Sequence, residues 1–163
     1  CIRDSIRGGY LTFVDSDDVV KPQYLEHLYW GSMNGKADYV VGGYQAFGVL
    51  SDSVVYQDKQ YEGVQIKECL RQHISEFPFT SPFTKLFRAG IIHKYHIRFD
   101  IRMACAEDSC FNKDYLLYTD YISLVGYSEY CYRCEDRPYK YGADGKNAVY
   151  AAQQTIQLSL IHI

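Results

Sequence analysis

A short β-prone run, Tyr10-Leu11-Thr12-Phe13-Val14, runs straight into a cluster of aspartates, Asp15-Ser16-Asp17-Asp18. Three carboxylates within four residues repel one another, so the cluster is costly unless something neutralises it. The residues after the cluster narrow the fold. Pro22 suits the first turn of a helix, and Leu25, Leu28 and Tyr29 recur at helical spacing up to Trp30. Asn34-Gly35 stops that helix, Tyr39-Val40-Val41 reads as the next strand, and Gly42-Gly43 breaks it. Strand, acidic loop, helix and strand in that order form an α/β unit. Its loop lies at the carboxyl end of a strand, where open α/β sheets place ligands.

The rest of the chain keeps to that class. Residues 44–58 alternate weakly, as a strand pair does, and Glu62 to His73 reads as a helix with Val64, Ile66, Cys69 and Leu70 apolar. Pro78 and Pro82 bracket an extended loop. Lys85-Leu86-Phe87 is followed by a short helix over Ala89–Tyr95, and Ile97–Asp100 is extended. Glu107-Asp108 opens a helix through Phe111 and Tyr115 to Leu117, its two carboxylates favoured there by the helix dipole. Ile122–Val125 and Tyr127–Arg133 read as a final strand pair, 135–147 as a polar loop, and 148–163 as a closing helix. The expectation is one α/β domain over residues 1–163.

Composition excludes several functions. The net charge is -3 and the basic residues are scattered, which argues against a nucleic-acid footprint. No apolar run approaches the ~20 residues that span a bilayer, and no leader peptide is visible. The expected location is cytoplasmic, with room for peripheral docking at the inner face of a membrane. Seventeen tyrosines offer flat rings with a hydroxyl, suited to sugars or, more often, to a core with the hydroxyl at its edge. The six cysteines read as reduced and mostly buried. Cys131-Tyr-Arg-Cys134 has metal-ligand spacing but sits in a strand-like stretch, not in a knuckle.

Two constellations can carry chemistry. Asp15, Asp17 and Asp18 suit magnesium or manganese, which take oxygen ligands shared between carboxylates and substrate phosphates. Asp18 could alternatively serve as a helix cap. Glu107 and Asp108 offer either a general base facing a cleft or a pair that merely satisfies orphan backbone N–H groups. His93-Lys94-Tyr95-His96 reads as a surface helix end. Lys85, Arg88 and Arg133 are isolated cations that could face phosphates.

Taken in order, these segments resemble glycosyltransferase family 2, of the GT-A type. The likeness runs from Arg3-Asp4-Ser5 through Gly9 to Asp18 and Lys21-Pro22-Gln23-Tyr24-Leu25-Glu26. It continues in Ser81-Pro82-Phe83-Thr84-Lys85-Leu86-Phe87-Arg88, Ile97-Arg98-Phe99-Asp100, Ala106-Glu107-Asp108-Ser109-Cys110-Phe111-Asn112 and Tyr130-Cys131-Tyr132-Arg133. Any one segment is weak; the ordered set is specific. Phe83 stands where the family commonly has Trp.

The resemblance implies a partial GT-A, Rossmann-like domain with a mixed sheet and flanking helices, an inverting transferase and a divalent metal, Mn2+ or Mg2+. Asp15 and Asp17 would be the DxD pair, Asp17 the better metal ligand. Arg3, Asp18 and Lys85 would also face the nucleotide sugar. Asp108, with Glu107 beside it, would be the catalytic base. The partners would be a nucleotide-diphosphate sugar and a glycan or lipid-linked acceptor, in surface-polysaccharide synthesis, with a homodimer open. The family's opening strand and base-reading aspartate have no counterpart here. The resemblance therefore implies a metal- and acceptor-side portion that, alone, binds donor poorly and turns over little. Two other readings fit the cluster. A haloacid-dehalogenase-type phosphatase would use Asp15 as nucleophile and Asp17 as acid/base. A non-catalytic remnant would act through self-association across an exposed sheet edge.

Overall fold

A computed structural model describes residues 7–49, 51–103 and 106–134. Among them the order is β1 (Tyr10–Leu11), β2 (Val19–Val20), α1 (Tyr24–Gly31), β3 (Tyr39–Val41), β4 (Tyr44–Gly48), β5 (Ser53–Val54) and β6 (Lys59–Glu62). Then come α2 (Gln65–His73), α3 (Phe77–Thr80), β7 (Lys85–Arg88), α4 (Ala89–Tyr95), α5 (Glu107–Leu116), β8 (Tyr121–Leu124) and β9 (Tyr130–Cys134). The strands form two mixed sheets, ordered β1-β7-β3-β8-β6 and β2-β9-β4-β5. The α/β class with a mixed sheet and flanking helices is the one the sequence pointed to.

β3 is central and buried on both faces, which is why Tyr39-Val40-Val41 is apolar throughout. Tyr39 and Val41 join a core with Phe87, Phe111, Tyr115 and Ile122. Val40 points the other way, into a second core with Tyr24, Leu28, Phe83, Leu86 and Tyr130. Each such side chain contributes roughly 1.5–3 kcal/mol by leaving water. Tyr24, Tyr39, Tyr44, Tyr56, Tyr115 and Tyr130 of these cores place their hydroxyls in hydrogen bonds. Tyr115, for example, donates to the Asp38 carbonyl at 2.7 Å and accepts from the Arg88 amide at 2.7 Å.

One expected pairing is different. β8 and β9 are not partners: β8 lies parallel to β3, and β9 lies parallel to β4 in the other sheet. The reason is at Gly42-Gly43. As β3 passes into β4, residues 125–129 carry β8 into β9 alongside it, and the Gly43 amide bonds the Tyr127 carbonyl at 2.9 Å. A Cβ on Gly43 would lie 1.9 Å from the Val54 carbonyl oxygen, so only glycine fits this crossing.

Several boundaries also shift. Only Tyr10–Leu11 of the run 10–14 is laddered, and Pro22 precedes α1 rather than opening it. Glu62 ends β6; Gly63, at φ 55°, makes the turn into α2. The stretch between the prolines, expected as a loop, contains most of the single-turn α3. Cys69 is buried, but Cys110, Cys131 and Cys134 are only half-buried. For the last two the reason is that β9 lies towards the surface. Cys69, Cys131 and Cys134 are free thiols. Odd spacing on β9 sends Cys131 and Cys134 to opposite faces, which separates the CxxC thiols. Cys1, Cys105, Arg3, the loop 135–147 and the closing helix 148–163 lie outside the described residues.

Candidate functional site

Asp15 to Asp18 form a tight turn, closed by the Asp18 amide on the Asp15 carbonyl at 3.2 Å. β9 holds it from behind. The Tyr130 hydroxyl donates to Asp18 Oδ2 at 2.6 Å and accepts the Asp15 amide at 3.1 Å. The Arg133 amide donates to Asp18 Oδ1 at 2.8 Å, and its Nε donates to the Asp17 carbonyl at 2.7 Å. Asp18 thus anchors the turn to β9 through both carboxylate oxygens, and it is not a helix cap: the residue before α1 is Gln23. Asp15 carries the electrostatic cost. Its pKa is raised by partial burial, and then by the Asp18 and Asp17 carboxylates beside it.

The second constellation sits at the start of α5. Ala106, left-handed at φ 61°, turns the chain into the helix, and Glu107 and Asp108 occupy its first turn without a side-chain cap. The Asp108 carboxyl is pushed up to about 6, first by burial, then by Glu107 and Asp15, with Lys85 pulling the other way. That Asp15 acts on Asp108 puts the acidic turn and the α5 N-terminus on a common side. The structure holds Asp15, Asp17 and Asp18 in one turn and Glu107 with Asp108 in one helical turn, and of the first group it is Asp15 that acts on Asp108.

Lys85 is placed differently from a donor-facing cation. It is fully buried and points its ammonium at the carbonyls of Ser81 and, at 2.9 Å, Phe83. Burial lowers its pKa well below the usual lysine range, while Asp108 acts to raise it. Two residues that the residue patterns alone did not single out complete the site. Tyr130 is the post behind the acidic turn. Asn112, fully buried, bonds the Asp108 carbonyl at 2.8 Å and the Ser81 carbonyl at 2.9 Å. The sequence signal for it was an amide four residues after Asp108, on the same helical face.

The donor set suits a hard cation in part. Among the described residues no three His, Cys, Asp or Glu side chains converge to hold a metal by themselves. Mg2+ and Mn2+ often use only one or two carboxylates, with substrate phosphates and water as the other ligands. Asp15 is raised first by burial and then by the Asp18 and Asp17 carboxylates; a cation would offset the second cause, and Asp15 and Asp17 are the residues that could hold it.

No family model matches this chain. Its sequence is similar to the glycosyltransferase GlyA of Streptococcus pneumoniae serotype 4, 33% identical over 141 residues, covering 80% of this chain and 20% of that protein. It is also similar to the glycosyltransferase GlyG of the same organism, 29% identical over 140 residues, covering 78% of this chain and 44% of that protein. The chain therefore spans between a fifth and under half of the curated relatives it matches. Among solved structures it shares its fold with S. aureus TarS 1-349 in complex with UDP, at TM-score 0.74 and 17% identity over 96% of this chain and 42% of that one. TarS 1-349 in complex with UDP-GlcNAc gives 0.71 at 16% identity, over 93% and 44%. The chain is thus related to glycosyltransferases, and its fold is consistent with part of a GT-A-like domain.

Proposed function

We propose that this chain forms the metal and acceptor side of an inverting, family 2 glycosyltransferase that moves a sugar from a nucleotide-diphosphate sugar to an acceptor hydroxyl. The observation that carries the reading is Asp108: a carboxyl raised to about 6, beside an acidic turn whose carboxylates repel one another. A general base works best with a pKa near the working pH. Asp108 would take the acceptor proton as the hydroxyl oxygen attacks the anomeric carbon opposite the diphosphate. The bond to the diphosphate breaks and configuration inverts. Glu107 raises the basicity of Asp108 by repulsion. Asp17 and Asp15 would hold a divalent cation, which would supply positive charge against the leaving diphosphate. Asp18 keeps their turn in place. TarS complexes with UDP and UDP-GlcNAc support a UDP-sugar donor, and the acceptor would be a glycan or lipid-linked saccharide at the cytoplasmic face of a membrane.

The phosphatase reading loses ground. The acidic turn follows a two-residue edge strand antiparallel to β7, not a central strand, and the similar curated proteins are named glycosyltransferases.

The test is donor turnover with UDP-GlcNAc and Mn2+ in the protein that carries this segment. Asp108→Asn is expected to lower kcat by about 10²-fold or more with donor KM little changed. Turnover at the wild-type rate in that variant would remove Asp108 from the reaction. The chain by itself is expected to bind UDP with Mn2+ only weakly; micromolar affinity by calorimetry would contradict that.

A further inference from the structure

We propose that Asn112 and Lys85 are positioning residues that lock the segment Ser81–Lys85 onto the first turn of α5 and so fix Asp108 relative to the acidic turn. The proposal rests on the reading of Asp108 as the base. Asn112 is fully buried and spends its whole amide on three elements. Its Oδ1 accepts the Tyr39 hydroxyl of β3 at 3.0 Å, and its Nδ2 donates to the Ser81 carbonyl at 2.9 Å and to the Asp108 carbonyl at 2.8 Å. Lys85 donates to the same Ser81 carbonyl and to that of Phe83. The Phe83 ring stacks on Tyr130 with centroids 4.5 Å apart and planes 11° from parallel. Tyr130 in turn carries Asp15 and Asp18. A continuous set of contacts joins the base to the aspartate turn through buried groups.

The backbone inside this set is held against its preference. Thr84 is left-handed at φ 62°, a costly state for a β-branched residue, and its buried Oγ1 has no hydrogen-bond partner among the described residues. Such conformations persist where the surroundings over-determine them. The consequence is a reversal of side. Regular alternation would put Phe83 on the face of Lys85 and Phe87. Instead Phe83 joins the opposite core with Leu86, against Tyr130, while Lys85 stays on the Asp108 side. One residue thus lets a single strand touch both halves of the site. A fully buried lysine and asparagine are poor choices for stability, since apolar residues of similar volume commonly serve as well. What they supply is a fixed arrangement.

Hydrogen–deuterium exchange on this chain reads the device without any turnover. The double variant Tyr39→Phe with Asn112→Leu removes both partners of the buried bond, so no hydroxyl is orphaned. The Ser81 carbonyl keeps Lys85, and the Asp108 carbonyl keeps its helical amide. Exchange is expected to quicken about tenfold over residues 81–85 and 106–112, with β3 and β8 unchanged. Lys85→Met is expected to give the same pattern. In the transfer assay both variants are expected to lose kcat at unchanged donor KM. Unchanged exchange at 106–112, a uniform rise over both sheets, or loss of a cooperative melt in both variants would overturn the proposal. If the wild-type protein that carries this segment transfers no sugar, the functional reading falls, and localised exchange still decides this one.

Discussion

Asp108 and Asp15 are both held above the usual aspartate range for the same first cause, burial, and the Asp15 carboxylate adds to the cost of ionising Asp108. That direction sets the sign of the linkage. An aspartate raised to about 6 in the folded state binds a proton that the unfolded chain has already lost near pH 4. Its contribution to stability is whole below the unfolded value and fades as pH rises through 6. Asp108→Asn is therefore expected to melt higher than wild type at pH 7 and alike at pH 4, by calorimetry, while it loses catalysis. In the active protein the acidic limb of kcat/KM should fall below about pH 6, where Asp108 takes up its proton. Tyr130→Phe tests the other half of the site. It keeps the ring stack on Phe83 and loses the hydroxyl between the Asp15 amide and the Asp18 carboxylate. A loss of about 1–2 kcal/mol in urea unfolding is expected, with weaker Mn2+ binding by calorimetry.

Elements with strong local signals were legible. Ala89–Tyr95 is a helix from end to end, β3 lies where an apolar run meets two glycines, and α5 starts at its acidic pair. Elements set by partners were not. Val14 continues an apolar run, yet only Tyr10 and Leu11 find a ladder, on Arg88 and Phe87. Val19–Val20 became a strand because β9 is there to pair with it. The extended loop between prolines became α3, a turn that packs Phe79 into the core beside Tyr39. At the level of elements, Gly43→Ala is the sharpest probe. Its Cβ would meet the backbone of Val54, which cannot swing aside as a side chain would. A cost of about 1–3 kcal/mol is expected, measured as a lower urea midpoint. An unchanged midpoint would mean that the β4–β5 hairpin can shift at no cost.

Over the whole molecule, the parallel pair β3–β8 of one sheet runs on into the parallel pair β4–β9 of the other, and the acidic turn, tied to β9, is the link by which the chain passes from one sheet to the other. β1, before the turn, belongs to one sheet, and β2, after it, to the other. A cation bound there would stabilise both at once. Saturating Mn2+ at a hundred times its dissociation constant should add about 2.7 kcal/mol. The resulting rise in Tm should vanish on chelation and in Asp15→Asn with Asp17→Asn. No rise in the wild type would argue that this turn holds no metal by itself. Among the described residues no helix is long and apolar enough to cross a membrane.

Sequence by itself determined the α/β class, the acidic turn after β1, the carboxylates that open α5 and the kinship these suggest, because charge clustering and periodicity are local properties. The tertiary structure decided what each of these charges faces. It brought Asp15 within electrostatic reach of Asp108, spent Asp18 on Tyr130 and Arg133, and buried Lys85 against carbonyls instead of leaving it open to a phosphate. It also moved β8 and β9 into separate sheets. Each of these depends on which distant backbone lies alongside, and on a desolvation that no local pattern encodes.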